Sequence, residues 1–187
     1  MGIVELIFTA IGLSMDAFAV SVCNAMMVNN LRLRDAAKFG LFFGFFQALM
    51  PLIGWLAGKT FSSYVIAFDH WVAFVLLAFI GGKMILDAVR GEEECSNENP
   101  LKFKVLFVLA IATSIDALAV GITFAFMKMA ILSSVLLIGA ITFAISTAGA
   151  LIGKKAGSAL GSRAEIVGGI ILILIGAKIL IEHLFFS

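Results

Sequence analysis

Leu13-Ser-Met-Asp-Ala-Phe-Ala-Val-Ser-Val22 returns later in the chain as Thr113-Ser-Ile-Asp-Ala-Leu-Ala-Val-Gly-Ile122, with Asp16 and Asp116 in register at an offset of 100. Each copy is an apolar segment with one carboxylate in its middle. The correspondence extends outward. Leu52-Ile-Gly54 answers Leu151-Ile-Gly153, and Ile80-Gly-Gly-Lys-Met-Ile-Leu-Asp87 answers Ile175-Gly-Ala-Lys-Ile-Leu-Ile-Glu182, which keeps a Lys and an acid four apart in both. The chain reads as two copies of one unit, over 1–91 and 103–187, joined by an acidic connection over 92–102.

Apolar runs of roughly 20 residues, the length that crosses a ~30 Å hydrocarbon core, lie near Ile3 to Met26, Ala36 to Ala57, Trp71 to Val89, Phe103 to Met127, Ala130 to Ile152 and Ile166 to Phe186. With 62% hydrophobic and 13% charged residues among 187, the composition is that of a chain dissolved in lipid. The expected fold is an all-α membrane protein of six transmembrane helices. Three spans per copy is an odd number, so the second copy enters from the opposite side, giving a 3+3 inverted repeat. Transporters of this construction hold substrate near the midplane, at the interface of the copies.

Nine Lys and Arg (Arg32, Arg34, Lys38, Arg90, Lys102, Lys104, Lys154, Lys155, Arg163) fall in connections one, three and five, against Lys59 and Lys128 in the other two. The positive-inside rule then puts the odd connections in the cytoplasm and both termini outside. The run Glu92, Glu93, Glu94 and Glu98 carries little weight in that rule and reads as a solvated loop, with metal gathering as its functional alternative. A net charge of +1 offers no nucleic-acid footprint. Met1 to Glu5 lacks a basic n-region, so the first run reads as a retained helix. Cys23 and Cys95 form no CxxC or zinc spacing, no disulfide framework is expected, and Cys23 reads as a buried structural thiol.

An ionisable group at mid-membrane costs about 2.5–3.5 kcal/mol on insertion scales, and Asp16 and Asp116 incur it twice. The functional reading is that they face each other and bind a divalent cation, whose charge offsets their repulsion. The structural alternative is a carboxylate pair neutralised for packing. Glu5, Thr9, Gly12, Asp16 and Cys23 form a polar stripe at helical spacing, as do Thr113, Asp116 and Thr123. Ser14, Ser114, Asn24, Gln47 and the pair Ser146-Thr147 are auxiliary oxygen donors, although hydroxyls in such helices more often bond their own backbone. Oxygen donors suit magnesium, calcium or manganese, and no His/Cys cluster suits zinc or copper. Lys83 with Asp87, and Lys178 with Glu182, compensate each other locally or take part in transport-coupled charge exchange. Proton coupling would follow if a carboxylate releases protons as metal binds.

Other features read blandly. Pro51 removes a backbone bond near Gln47, and the Gly-x-x-x-Gly pairs 40/44, 54/58 and 153/157 mark close helix packing. The eight methionines are filling, and His70 and His183 are interfacial. Gly54-Trp-Leu-Ala-Gly-Lys-Thr60 is one residue short of a P-loop and sits on an apolar helix, so no ATPase engine is legible.

Ser14-Met-Asp-Ala-Phe-Ala, Pro51-Leu-Ile-Gly-Trp55, His70-Trp-Val-Ala-Phe-Val-Leu-Leu, Gly81-Gly-Lys-Met, the Thr113 motif and Ala164-Glu-Ile-Val-Gly-Gly resemble the MntP-type manganese efflux pump family over nearly the whole chain. The resemblance implies a bacterial inner-membrane exporter of Mn(II), distantly similar to the lysine-exporter class, with Mn(II) as cargo and no permanently bound cofactor. It maps the family's intramembrane aspartates onto Asp16 and Asp116, and places Gln47 where some members carry Glu. Three rivals stand beside it. A cationic amino acid could pair its ammonium with either Asp. An intramembrane aspartyl protease would need Gly after each Asp, where Ala17 and Ala117 stand. A passive channel would conduct without saturation.

Overall fold

The computed structural model describes residues 2–28, 30–65, 99–127 and 129–156, together with helical positions at 74–75, 78–79, 82–83, 85–86, 89–90, 163, 166, 170, 173–174, 177 and 181. The regular elements among the described residues are all helical: α1 Ile3–Met26, α2 Leu33–Val65, α3 Phe103–Ala112, α4 Ile115–Phe126 and α5 Ile131–Ala156. Three stretches, Ile3–Met26, Leu33–Thr60 and Ile131–Gly153, are long and apolar enough to cross a membrane, and α3 with α4 passes the same test as one span bent by 44°. The expected spans at 71–89 and 166–186 lie largely outside the described residues; the positions described within them are helical.

Local chemistry explains the helix limits. At the start of α1 the Gly2 N–H donates to Glu5 Oε2 at 2.9 Å, satisfying one of the unpaired amides of a first turn. After Met26 the chain turns through Asn30 at φ 57, a left-handed conformation that Asn tolerates. α2 outruns the expected 36–57, beginning at Leu33 and ending at Val65. Its P-loop-like segment is helical throughout, and Lys59 Nζ stands 4.3 Å from the centroid of the Trp55 ring. Pro51 lies inside this helix and has no N–H to offer the Gln47 carbonyl.

The fourth expected span is not one helix. It breaks at Thr113–Ser114, where the hydroxyls bond back into the preceding turn, Thr113 Oγ1 to Leu109 O at 3.0 Å and Ser114 Oγ to Ala110 O at 2.6 Å. Such back-bonding competes with the helical ladder and bends helices. Ser14 makes the same bond to Ala10 O at 2.6 Å within a continuous α1. The hydroxyl therefore permits the break, and the surrounding packing decides it.

Glycines set how closely the helices approach. Gly149 and Gly153 bring α5 against the backbone of Phe18 and Val22 on α1, while Gly54 and Gly58 bring α2 against Leu118 and Ile122 on α4. Those partners correspond in sequence, Gly54 with Gly153 at an offset of 99, and Phe18 with Leu118 and Val22 with Ile122 at 100. α1 and α5 rise together, whereas Gly40 meets Thr147 and Gly44 meets Gly139, so α2 and α5 run antiparallel.

The apolar interior is in two parts. One joins Leu6, Ala10 and Leu13 of α1 to Ala117, Val120 and Phe124 of α4 and Ile138 of α5. The other joins Ala17, Val20 and Ala25 of α1 to Ala36, Phe39, Phe43 and Phe46 of α2, Leu106, Leu109 and Ala110 of α3, and Ala150 of α5. Large apolar side chains also cover the outside, among them Leu41, Phe45, Phe103, Leu132 and Leu136, each more than half exposed. In water that surface would be an aggregation hazard; against acyl chains it costs nothing. The protein is an integral membrane protein.

One sequence expectation is corrected. Cys23 is 3% exposed, but it is half of a disulfide and not a free thiol. It lies in the last turn of α1, near enough to the connections for a bridge that a midplane cysteine could not make. Cys95 lies outside the described residues.

Candidate functional site

Between the two apolar cores lies a layer of buried polar side chains. Going along α1, the first core ends at Leu13 and the second begins at Ala17. Along α3 and α4 the order reverses, with Ala110 in the second core and Ala117 in the first. Asp16 and Asp116 therefore both fall at the boundary. Asp16 is the fourteenth of the 24 residues of α1, near mid-helix, and both carboxylates are partly buried.

Asp116 stands in the first turn of α4, directly after the break. Its Oδ1 accepts the Ala117 N–H at 2.7 Å, while its Oδ2 is buried without a hydrogen-bond partner among the described residues. It lies within Coulombic reach of Asp16 and of Lys83. An acid at a helix N-terminus also meets the positive end of the peptide dipoles. The break thus places amides and a carboxylate at one point of the bundle.

Other oxygens face the same boundary. Gln47 is fully buried; its Nε2 donates to Leu13 O at 3.2 Å, leaving Oε1 buried and without a partner among the described residues. Gln47 shares a stripe of α2 with Pro51, Gly54 and Gly58, spaced four, seven and eleven residues on, the stripe that packs against α4. On α5 a stripe of the same spacing, Thr142, Ser146, Gly149 and Gly153, faces α1. Thr142 Oγ1 lies 2.8 Å from Ser14 Oγ, and Ser146 Oγ is buried without a partner among the described residues. Thr147 Oγ1 shares that condition and packs against Gly40 of α2.

The auxiliary donors named from sequence divide. Ser14, Ser114 and Gln47 lie at the polar layer, but the two serine hydroxyls donate to Ala10 O and Ala110 O. Asn24 is buried eight residues beyond Asp16, about 12 Å along the axis at 1.5 Å per residue, and its Nδ2 donates to Val20 O at 3.0 Å. The structure does not bring it to the aspartates. Lys83 is exposed and helical. Asp87, Lys178, Glu182, His70 and His183 lie outside the described residues. Sequence reasoning missed Thr142, whose signal was its i, i+4 spacing to Ser146 on the glycine stripe, and it missed the break before Asp116, which neither Gly nor Pro marks.

Chemically the layer offers carboxylate, amide and hydroxyl oxygens in a low-dielectric setting, a donor set for a hard divalent cation. Among the described residues no three His, Cys, Asp or Glu side chains cluster, so two carboxylates are the ionic part of this set.

A family model described as "Putative manganese efflux pump" matches residues 30–180. Among curated relatives, proteins named "Putative manganese efflux pump MntP 2" from Clostridium botulinum (strain Hall) and "Putative manganese efflux pump MntP" from Clostridium perfringens (strain SM101) are 51% and 49% identical, covering 98% of this chain and 96% of their own lengths. A protein of the latter name from Gloeothece citriformis is 51% identical over 100% of this chain and 99% of its own. No solved structure matches. Matched over most of its length by the family model and over nearly all of it by these relatives, the chain belongs to the MntP family.

Proposed function

We propose that this chain exports Mn(II) from the cytoplasm across the bacterial inner membrane, without ATP, by alternating access coupled to proton exchange. The observation that carries the reading is the polar layer itself. It places Asp16 and Asp116 where the two apolar cores meet, with the unpartnered oxygens of Asp116, Gln47 and Ser146. Buried acceptors without donors cost about 1–3 kcal/mol each, and a bound cation would supply all of them at once. The family supplies the metal's name.

The geometry supports a division of labour. Asp16 and Asp116 hold the ion through charge, and Gln47 Oε1 and Ser146 Oγ complete the shell as neutral donors. Ser14 and Thr142, 2.8 Å apart, tie α1 to α5 beside it. A carboxylate that ligates the ion is ionised, so any proton it carries in the empty site leaves as the ion arrives. Opposed faces then exchange metal for protons. The mirrored contacts of α2 on α4 and α5 on α1 support a 3+3 inverted repeat, since two equivalent packings give the bundle two equivalent openings. The basic excess of the odd connections supports both termini lying in the periplasm.

The test is Mn(II) flux in proteoliposomes with an imposed pH gradient. Flux should accelerate when protons run opposite to the metal and stop for Asp116→Asn. Saturable flux of lysine with no response to Mn(II) would replace the metal by a cationic amino acid, and unsaturable conductance would make the protein a channel.

A further inference from the structure

Away from the polar layer, a groove runs between α2 and α3 on the outer face, lined by Leu41, Phe42, Phe45, Phe46, Phe103 and Phe107, with a volume of about 370 Å³ and an almost wholly apolar wall. The rings that shape it are held by one another. Phe42 meets Phe103 edge-on at 5.3 Å, Phe46 meets Phe107 edge-on at 5.3 Å, and Phe103 stacks on Phe107 at 6.0 Å. Leu41, Phe45 and Phe103 remain 62%, 60% and 70% exposed, so the groove is open along its length.

The mouth of this groove has a different chemistry. Arg34, Lys38, Leu41 and Phe45 follow one another on α2 at spacings of four, three and four, and all four are exposed. One helix face therefore passes from cations to aromatics within three turns. α3 begins at the same mouth, with Lys102 as its N-cap residue and Lys104 next to Phe103. Counting Arg32, the described residues place five basic side chains there against one acid, Asp35, which pairs with Lys38 at 3.0 Å.

We propose that the groove is a binding site for one anionic phospholipid, its phosphate among Arg34, Lys38, Lys102 and Lys104 and an acyl chain along the phenylalanines. The spacing fits. Lys38 to Phe45 is seven residues, about 10 Å of helix rise, which carries a lipid from headgroup to upper acyl chain. The charge selects the headgroup, because basic clusters at the end of membrane helices favour anionic lipids and a zwitterionic one gains little from them. A second copy of this chain is disfavoured as occupant, since a two-fold contact at this face would set two basic mouths against each other.

The full-length protein in detergent is titrated with dioleoyl-phosphatidylglycerol and with dioleoyl-phosphatidylcholine, and bound lipid is counted by native mass spectrometry. Phosphatidylglycerol should bind at one per chain and about tenfold more tightly than phosphatidylcholine. Lys38→Gln with Lys104→Gln, both at exposed positions, should erase that preference, and Leu41→Trp should weaken both lipids by filling the groove. Thermal unfolding in the same detergent verifies that the variants fold. Equal affinity for the two lipids, or a preference that survives the lysine variants, overturns the proposal. So does a dimer whose mass disappears with Leu41→Trp, which would make the groove a subunit contact.

Discussion

The two oxygens of Asp116 stand in different situations, and the difference sets what its substitution should do. Oδ1 is occupied by the Ala117 N–H at 2.7 Å, a bond that helps begin α4, while Oδ2 faces the polar layer without a partner among the described residues. Asp116→Asn keeps an oxygen for the Ala117 bond and replaces the charged Oδ2 with a neutral NH2 that cannot ligate a cation. The variant should insert and unfold like the native chain yet lose Mn(II) transport by at least about 100-fold, since even groups that merely orient metal ligands are worth about 10–100-fold; retained flux would remove Asp116 from the site. Gln47→Leu and Ser146→Ala, which take away neutral donors, should each raise the Mn(II) concentration for half-maximal flux by about tenfold. The same substitution at Asn24, two turns from Asp16, should leave that concentration unchanged. A polar layer at Asp16, Asp116 and Gln47 was legible from sequence because an acid or amide inside an apolar run has no ordinary reason to be there. The separation of Asn24 was not legible, because helical periodicity says which residues share a face and nothing about which neighbour reaches that face. Cys23 misled for a related reason. A cysteine in an apolar run reads as core, and only its place in the last turn of α1 shows that it can pair.

Between helices the controlling residues are glycines. Gly54 and Gly153 occupy corresponding positions and pack on corresponding helices, the first against the Leu118 backbone on α4 and the second against the Val22 backbone on α1, whose counterpart Ile122 lies one turn beyond Leu118. A side chain at either must push backbone aside, and overpacking of this kind costs about 1–3 kcal/mol. Gly54→Leu and Gly153→Leu should therefore lower the thermal unfolding midpoint by similar amounts, whereas Leu132→Ala, at a position 69% exposed, should leave it nearly unchanged. A large effect at one glycine and none at the other would mean that the two packings are not equivalent. Long apolar runs gave α1, α5 and the start of α2 within a few residues, because a helix that must cross lipid has no other way to satisfy its backbone, while α2 runs on to Val65, past the end of its apolar run. The break at Thr113–Ser114 escaped, because the same serine in the same motif leaves α1 continuous. The sequence holds the capacity to bend in both copies; which copy uses it depends on contacts with other helices.

For the molecule as a whole, the proposed export of a divalent cation has to contend with the membrane potential, worth about 2.3 kcal/mol per charge per 100 mV. A divalent ion leaving a negative interior meets that opposition twice, about 4.6 kcal/mol at 100 mV. Two carboxylates at the centre offer a way round it. If both carry protons when the ion is absent and both are ionised when it is bound, the loaded and unloaded sites have the same net charge, and neither reorientation moves charge through the field. One Mn(II) would then leave for every two protons that enter, and a gradient of one pH unit would contribute about 1.4 kcal/mol per proton. Flux in proteoliposomes should follow an imposed pH gradient and should not change when a potassium diffusion potential is clamped with valinomycin. Acceleration by an inside-positive potential would show that fewer than two protons return per ion. In that case one carboxylate keeps its charge throughout the cycle, and Lys83, within Coulombic reach of Asp116, is the cation placed to balance it. Lys83→Gln would then slow return of the empty carrier while leaving Mn(II) affinity intact, an effect that electroneutral exchange does not produce.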